Sequence, residues 1–293
     1  MAKERIGILG GTFNPPHSGH IRMARYAMSS ADLDRVLMLP DGHPPHKTHL
    51  AAAKDRWRML CVATCLEKGL EPCDLELARE GVTYTFDTLT QLHALHPKAE
   101  LCYIIGADTL MELHRWHRFE DILHLCTFLV APRAMNCSAR DYLSEKRRLQ
   151  DLGARIENID MPVLETSSTA IREALRTGAE PPLFPVTLQE YCCAQGLYGS
   201  PLRIPQAPEW LDRLFDVLTV KRFSHTLSVA YTARNLARNH HVDMMQAEIA
   251  ALLHDCAKCL PLQEMQAICV DHSLTSDALA MKSGNLLHSI AGA

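Results

Sequence analysis

A buried strand, a pair of glycines and a helix start follow one another near the N-terminus, and this order constrains the fold more than any other feature. The apolar run Ile6–Leu9 predicts the strand, and Gly10 and Gly11 let the backbone turn sharply and approach a ligand closely. A helical pattern begins near Ser18 and Gly19, so unpaired amides and the positive end of the helix dipole face the turn. In an open sheet such a turn lies at the carboxyl ends of the strands, where it can bind an anion.

Two histidines belong to the same turn. His17 and His20 are three residues apart, so both can project from one face of the first helical turn. Their ring N–H groups can donate to phosphate oxygens, and we expect a bound triphosphate to favour the protonated rings. The segment lacks the Gly-Lys-Ser/Thr of a P-loop, so the histidines take the place of the lysine.

Short apolar runs alternate with helical patterns as far as about residue 198. The strand candidates are Ile6–Leu9, Arg35–Leu39, Asp74–Leu77, Leu101–Ile105, Thr127–Ala131 and Arg155–Ile159. The helix candidates are His20–Ala31, Lys54–Glu67, Phe86–Leu95 and Ser168–Thr177. Continuous apolar strands separated by helices indicate a parallel sheet covered on both faces. We therefore predict an α/β fold with a Rossmann-like, doubly wound parallel sheet.

The residue pattern of the sequence changes after residue 198. The proline-rich stretch 199–208 cannot continue a helix and predicts a linker between a first domain, 1–198, and a second, 209–293. From Glu209 onward only helical patterns are found, which predicts an all-α segment.

Composition limits the classes of binding partner and the cellular compartment that we expect for this protein. The net charge of -4 gives no basic field that would attract nucleic acid or an acidic membrane. No apolar stretch approaches the roughly 18 residues of a membrane span, and the N-terminus has no signal-peptide pattern, so we expect a cytoplasmic protein. The 11 cysteines are irregularly placed and odd in number, which favours reduced thiols over disulfides, Cys256 and Cys259 included. The oligomeric state, a homo-oligomer included, stays open.

The segment Gly10–His20, GGTFNPPHSGH, resembles the signature of the bacterial nicotinate-nucleotide adenylyltransferases, within the wider H-x-G-H nucleotidyltransferase family. A second segment, Glu165–Arg172, is similar to the family's I-S-S-T-x-I-R, with Thr166 where isoleucine is usual. Further short matches follow in the family's order at Pro44–Lys47, Asp55–Arg56, Tyr84–Leu89, Gly106–Asp108 and Trp116.

The resemblance implies a reaction of NAD biosynthesis. The phosphate of nicotinate mononucleotide attacks the α-phosphorus of ATP in line, which yields nicotinate adenine dinucleotide and pyrophosphate. Positioning and charge neutralisation supply the catalysis in such transfers, and ATP is expected with Mg²⁺. ATP and nicotinate mononucleotide are therefore the expected partners.

The resemblance also implies the site residues, with His17, His20 and Arg172 as the catalytic group. The implied ATP-binding residues are Gly10, Gly11, Thr12, Phe13, Gly106, Ser167, Ser168 and Thr169. The implied residues for the pyridine mononucleotide are Asn14, Lys47, Tyr84, Thr85, Asp108, Trp116 and Arg133. Trp116 would stack on the pyridine ring, and amides around Tyr84 and Thr85 would receive the carboxylate.

For the segment Glu165–Arg172, the physical chemistry of the residues agrees with the ATP-binding role that the resemblance implies. Ser167, Ser168 and Thr169 precede an amphipathic helical pattern, so their hydroxyls can cap a second helix start. Together with the guanidinium of Arg172 they could grip the β- and γ-phosphates from the side opposite the histidines.

A second constellation lies in the helical segment. His225 falls within one apolar helical pattern, and His254 and Asp255 end another, which is a common way to hold a transition metal between helices. The pattern resembles the HD phosphohydrolases that cleave diadenosine tetraphosphate symmetrically. That resemblance adds His288 as a ligand, places Lys258 near phosphate and implies iron or manganese. Four of six family ligands are present, so we expect an incomplete, HD-type domain.

Three alternatives stay open. The same chemistry could act on nicotinamide mononucleotide or phosphopantetheine. The chain could instead sense a nucleotide without turnover, with its helical segment as an interaction module. Metal-dependent hydrolysis could also be the main activity, which predicts two ADP from diadenosine tetraphosphate.

Overall fold

The computed structural model describes residues 3–42, 50–132, 138–163, 166–275 and 277–292. The chain packs as two compact units, residues 1–170 and residues 171–293. Each unit is described separately below.

The first unit alternates strands and helices along the chain. Its strands are β1 (Arg5–Gly11), β2 (Arg35–Pro40), β3 (Leu70–Pro72), β4 (Glu100–Gly106), β5 (Thr127–Ala131) and β6 (Arg155–Asn158). Its helices are α1 (Ser18–Ser30), α2 (Ala53–Thr64), α3 (Thr85–Leu95), α4 (Ala107–Glu112), α5 (Phe119–Leu125) and α6 (Ala139–Asp151), and the unit ends within α7 (Ser168–Thr177).

The described strands form one sheet in the order β3-β2-β1-β4-β5-β6, and every pair is parallel. Side chains of β1 alternate between the two faces: Ile6 and Ile8 join the core beneath α3 and α5, whereas Leu9 joins the core beneath α1. Because both faces are covered, the central strands β1, β2, β4 and β5 are mostly buried and apolar, whereas the edge strand β6 is largely exposed. The strand order is that of a doubly wound, Rossmann-like sheet, and this fold prediction is confirmed.

One strand prediction is wrong. The candidate Asp74–Leu77 lies in a turn, and β3 is Leu70–Pro72, which pairs with β2 at Val36–Met38. The candidate alternates polar and apolar residues, but this pattern does not mark a strand here. Glu76 is turned inward and accepts a 2.7 Å hydrogen bond from the hydroxyl of Thr88. The other strand and helix predictions of the first domain are confirmed within a few residues of their bounds.

The regular elements among the described residues of the second unit are all helical, as predicted from Glu209 onward. After the end of α7 come α8 (Val186–Ala194), α9 (Ala207–Val217), α10 (Val220–Asn239), α11 (Met244–Leu253), α12 (Leu262–Asp271) and α13 (Gly284–Ala291). Within the stretch 199–208, Ser200 and Ile204 are buried and Arg203 forms ion pairs, so these residues pack with the helices. The predicted domain limits 198 and 209 stay a prediction, since the packing units describe contacts alone.

A buried ion cluster joins four parts of the second unit. It consists of Glu190 on α8, Arg203 after it, Arg234 on α10 and Glu248 on α11. Arg203 donates to Glu190 at 2.7 Å and to Glu248 at 2.9 Å, and Arg234 donates to Glu190 at 2.8 Å. Burial raises the pKa of Glu190 to about 7, although the two guanidiniums act in the opposite direction. The loss of one partner would leave a buried charge uncompensated, which typically costs about 3–5 kcal/mol.

Two further sequence predictions concern the thiols and the membrane. Every cysteine that the structure describes is a free thiol, as predicted. Among the described residues, no helix combines the length and the apolar character needed to cross a bilayer.

Candidate active site

The two histidines of the first turn cap α1 together. Nδ1 of His17 accepts from the backbone N–H of Gly19 at 3.2 Å, and Nδ1 of His20 accepts from the backbone N–H of His17 at 3.1 Å. The arrangement is a capping box built from two imidazoles, whose ring centroids are 3.8 Å apart. The helix starts where the sequence predicts, and both side chains lie at its N-terminus.

This capping fixes the tautomer of the two rings. A nitrogen that accepts a hydrogen bond carries no proton, so each neutral ring has its proton on Nε2. The expected protonation of the rings beside a bound triphosphate stays a prediction. Each neutral ring can still offer an Nε2–H group to a phosphate oxygen.

Glycine is needed where the first turn meets the second motif. A Cβ on Gly19 would lie 2.7 Å from Cγ2 of Thr166 and 2.8 Å from Nδ1 of His17. Phe13, which has a positive φ of 45°, is fully buried and meets His20 edge-on at 5.0 Å between ring centroids. The buried Asn14 accepts a 3.0 Å hydrogen bond from the backbone of Ala51 through Oδ1. The turn is thus rigid and closely packed.

The start of α7 lies directly against the first turn. The hydroxyl of Ser168 donates to the carbonyl of Pro15 at 2.9 Å. Ser167 supplies the helix cap, because its hydroxyl accepts from the backbone N–H of Ala170 at 3.2 Å. Two segments about 150 residues apart in sequence are therefore joined at one place, the start of α7 and the turn that precedes α1.

A buried arginine that sequence reasoning noted only as a family match ties this region together. Arg56 on α2 is 2% exposed and donates to the carbonyls of Thr12 at 3.1 Å and Asp41 at 2.7 Å. It also donates to the carbonyls of Ala51 and Gly42, each at 3.3 Å. Arg56 thereby fixes the loop after β1 to the loop after β2. The only sequence signal for it was the Asp-Arg pair at a helix start.

An aromatic group lies at the carboxyl end of β4. Trp116 packs edge-on against Tyr103, with ring centroids 5.8 Å apart, and its neighbour His117 stacks on Tyr84 at 4.4 Å. Burial raises the pKa of the Tyr103 hydroxyl, and the nearby Thr85 side chain acts in the opposite direction. Tyr84 precedes α3 and Thr85 begins it. The structure therefore brings Trp116 and the Tyr84–Thr85 segment close together, as the prediction requires.

A cavity of about 370 Å³ lies at the carboxyl ends of β4, β5 and β6. Its lining includes Ala107, Pro132, Tyr142, Asp160 and Met161. The adjoining Gly106 is buried at the end of β4, and Asp108 is exposed in the first turn of α4.

Three predicted residues need separate mention. Arg172 lies four residues after Ser168 on α7, so it belongs to the same helix as the capping serines. Lys47 and Arg133 lie outside the described residues. Their predicted contact with the substrate phosphate stays a prediction.

In the second unit, donors of the predicted metal set converge. The ligand atoms of His225, His254 and Asp255 lie within 4.8 Å of one another. Nε2 of His288 lies 3.3 Å from Oδ1 of Asp255, and Nε2 of His254 lies 3.3 Å from Oδ2. Helices α10 and α13 and the turn after α11 thus bring three predicted histidine ligands to the carboxylate of Asp255.

Hydrogen bonds at this cluster fit a metal. Nδ1 of His254 contacts the carbonyl of Ala251 at 2.6 Å, and Nδ1 of His288 contacts that of Gly284 at 3.2 Å. Each carbonyl can only accept, so both rings carry a proton on Nδ1 and turn the lone pair of Nε2 toward Asp255. When the rings are neutral, these lone pairs face the carboxylate, and a bound cation can lie between them. Arg222 donates to Asp255 at 2.9 Å, and Lys258 lies 3.2 Å from Nε2 of His288.

Comparison with known proteins agrees with this geometry. Residues 8–174 match the Cytidylyltransferase-like family model, and residues 222–293 match the HD domain model. A relative from Clostridium novyi (strain NT), described as a probable nicotinate-nucleotide adenylyltransferase, is 38% identical over 176 residues, which cover 59% of this chain and 88% of the relative. A relative of the same description from Synechococcus sp. (strain JA-3-3Ab) is 38% identical over 202 residues, covering 68% and 97%.

A solved structure supports the fold. The nicotinic acid mononucleotide adenylyltransferase of Plasmodium falciparum, solved in complex with NaAD, superposes with a TM-score of 0.59 at 18% identity, covering 68% of this chain and 100% of that one. The family model spans more than half of the chain, and the bacterial relatives are matched over most of their length. The chain therefore belongs to the nicotinate-nucleotide adenylyltransferases, a family of nucleotidyltransferases, and carries an HD domain in residues 222–293.

Proposed function

We propose that this chain transfers the AMP part of ATP to nicotinate mononucleotide and releases pyrophosphate, with the diphosphate held between the starts of α1 and α7. The observation that carries the proposal is the 2.9 Å hydrogen bond from Ser168 to the carbonyl of Pro15. It joins the start of α7 to the turn that precedes α1, and the amides of helix starts bind anions. A triphosphate has several anionic groups and needs more than one such site.

In this proposal the leaving pyrophosphate is steadied by His17 and His20 through Nε2–H and by Arg172, one helical turn after Ser168. The amides at Gly10 and Gly11 and the hydroxyls around Ser167–Thr169 complete the contacts. ATP enters as its Mg²⁺ complex, and that ion neutralises phosphate charge while keeping most of its waters. The phosphate of the acceptor attacks in line, so the protein needs to position the reactants and compensate charge, without a covalent intermediate.

The adenosine part of ATP is assigned to the cavity at the ends of β4, β5 and β6. The cavity volume of about 370 Å³ falls within the range of small-molecule sites, and the cavity borders Ala107, the residue after Gly106. Backbone groups at the strand ends can read the base without charged side chains.

The pyridine ring is assigned to Trp116. Its edge contact with Tyr103 restricts the indole, and an aromatic face attracts the cationic pyridinium. Amides at Tyr84 and Thr85 receive the carboxylate. A carboxamide would turn its NH₂ group toward those donors, so we expect the acid to be preferred over the amide.

Pyrophosphate release by the purified full chain tests the proposal. Nicotinate mononucleotide, nicotinamide mononucleotide and phosphopantetheine are compared as acceptors under steady-state conditions. The highest kcat/KM is expected for nicotinate mononucleotide. A preference for phosphopantetheine would refute the acceptor while leaving the ATP site intact, and release with none of the acceptors would favour the nucleotide sensor.

For the HD domain we propose a transition-metal site formed by His225, His254, Asp255 and His288. The bound ion would supply Lewis-acid activation of water for phosphoanhydride hydrolysis. The chain itself fixes the ligand tautomers through Ala251 and Gly284. Lys258 and Arg222 offer cationic donors to a phosphate. Formation of two ADP from diadenosine tetraphosphate would support hydrolysis, and its absence in protein with bound metal would leave a structural metal site.

A further inference from the structure

The second unit contains a cavity of about 430 Å³ that lies away from the metal cluster. Its walls come largely from the C-terminal half of α10 and the start of α11. The metal ligands lie at the other ends of the same helices: His225 near the start of α10 meets His254, just after α11, at 5.6 Å between rings. The cavity is therefore separate from the proposed metal site.

The charged residues that line this cavity are three arginines and two glutamates. The glutamates are Glu248, which belongs to the buried ion cluster, and the exposed Glu180. Arg203, Arg234 and Arg238 all border it. The first two belong to the buried ion cluster, in which Nε and Nη2 of Arg203 and Nη1 of Arg234 bind the carboxylates. The carboxylate oxygens of Glu190 and Glu248 accept these bonds, so their charge is compensated within the cluster.

Other N–H groups of the same side chains remain available. Among the residues that the structure describes, Nη1 of Arg203 and both Nε and Nη2 of Arg234 have no hydrogen-bond partner. The side chains of Arg203 and Arg234 are 28% and 10% exposed, and both border the cavity. Arg238 is exposed and forms no ion pair in the described part of the chain. Cationic donors thus face the cavity, whereas the carboxylates of the cluster are occupied.

The other wall is apolar and adaptable. Met244 and Met245 are 43% and 51% exposed and border the cavity together with Leu175. Methionine side chains adapt to ligands of different shapes and favour contact with aromatic rings. Tyr231 adds a ring whose centroid lies 5.5 Å from Cζ of Arg234. An apolar wall opposite cationic donors suits a molecule with an anionic end and an apolar body.

We propose that this cavity binds a small organic anion, with its phosphate or carboxylate group on the three arginines and its apolar body against Met244 and Met245. The volume is that of a small-molecule site, and guanidinium groups bind phosphate and carboxylate oxygens in pairs. The ligand needs no metal and does not depend on the adenylyltransferase or hydrolase reaction. The site is thus an additional one, on the helical side of the protein.

Methyl NMR of the full chain, labelled with ¹³C-methyl methionine, tests this proposal. Phenyl phosphate, benzoate and inorganic phosphate are titrated separately, and the Met244 and Met245 resonances are assigned with the Met244→Leu and Met245→Leu variants. Saturable shifts of both resonances are expected, while that of Met265 on α12 stays unchanged. Phenyl phosphate shifting them at lower concentration than benzoate would indicate a phosphate ligand, and the reverse a carboxylate ligand.

The Arg238→Gln variant tests the guanidinium role without disturbing the buried cluster. We expect it to weaken binding of the better probe by about threefold or more, as for one exposed charged contact. Arg213→Gln serves as the matched control, because Arg213 is exposed on α9 and does not border the cavity. Absence of a saturable shift with every probe, or equal affinity in the wild type and Arg238→Gln, would overturn the proposal.

Discussion

The backbone N–H of His17 donates to Nδ1 of His20 at 3.1 Å, so the second histidine holds the first residue of the turn in place. His17 in turn accepts from Gly19. Both imidazoles are thus used twice in our interpretation, as caps of α1 through Nδ1 and as donors to phosphate through Nε2. Because different ring nitrogens serve the two roles, the contribution of each ring to stability can be separated from its contribution to turnover.

His20→Ala is expected to lower kcat by ~10²-fold or more, the typical loss for one donor that stabilises transition-state charge. Loss of the cap should also lower the free energy of unfolding by about 1 kcal/mol. His20→Asn can keep a side-chain acceptor for the cap, so it should recover stability but not turnover. Steady-state kinetics and urea unfolding measure the two effects, with the exposed His240→Ala as control. An unchanged kcat in His20→Ala would contradict the phosphate role.

Arg56→Met should lower the free energy of unfolding by about 2–4 kcal/mol, because a buried guanidinium that donates to four carbonyls is lost. We also expect KM for ATP to rise, since the loop after β1 loses its attachment. Urea unfolding followed by tryptophan fluorescence measures stability. The exposed Arg22→Met on α1 is the control, and equal stability of the two variants would count against the positioning role.

Trp116→Ala should raise KM for nicotinate mononucleotide about tenfold, which corresponds to roughly 1.4 kcal/mol of a ring–cation contact. KM for ATP should stay close to that of the wild type. Trp116→Phe keeps an aromatic face and should recover most of the affinity. Steady-state kinetics with each substrate varied in turn decide the matter, and a parallel rise in both KM values would indicate a general structural defect.

The pKa of Glu190 gives a pH dependence of stability. It is about 7 in the folded chain and near 4.5 when unfolded, so between these values the folded state holds a proton that the unfolded state has lost. Stability from this group is therefore complete below pH 4.5 and decreases as the pH rises to 7. Relative to Glu190→Gln, the wild type should lose stability over this range in urea unfolding. The exposed Glu209→Gln should show no such trend, and a constant difference for Glu190→Gln would refute the assignment.

Metal removal should act on the HD domain alone. A chelator is expected to lower the unfolding temperature of the helical unit and to leave adenylyl transfer, assayed with Mg²⁺ restored, unchanged. Restoring Mn²⁺ at 100 times its Kd would return about 2.7 kcal/mol. Elemental analysis of His225→Ala should show loss of bound metal, whereas the exposed His272→Ala retains it. Equal metal content in the two variants would exclude the proposed ligand.

Much of the fold could be predicted because local signals coincide with it. Thr127–Ala131 is one continuous apolar run and is a strand with the same bounds. The strand prediction for Asp74–Leu77 was wrong. The segment alternates polar and apolar residues as a half-buried strand would, but the carboxylate of Glu76 is turned inward to Thr88. The spacing of apolar residues alone does not distinguish a strand from such a turn, since the hydrogen-bond partner of Glu76 lies on another element.

The site was predictable where residues are close in sequence and less so where they are not. His17 and His20 were found, but their capping role was missed because histidine is not among the preferred capping residues. Arg56 gave little signal, because the carbonyls it binds belong to loops as far as 44 residues away. The partners of Glu190 were equally invisible, since Arg234 is 44 residues distant.

The buried ion cluster bears on how such a gene could be rearranged. A recombination event that exchanged everything after residue 198 would keep Glu190 and discard Arg203, Arg234 and Glu248 together. The retained helix would then present an orphaned carboxylate to whatever sequence replaced them. Selection should therefore disfavour crossovers between α8 and α11, so that this stretch is inherited as one unit.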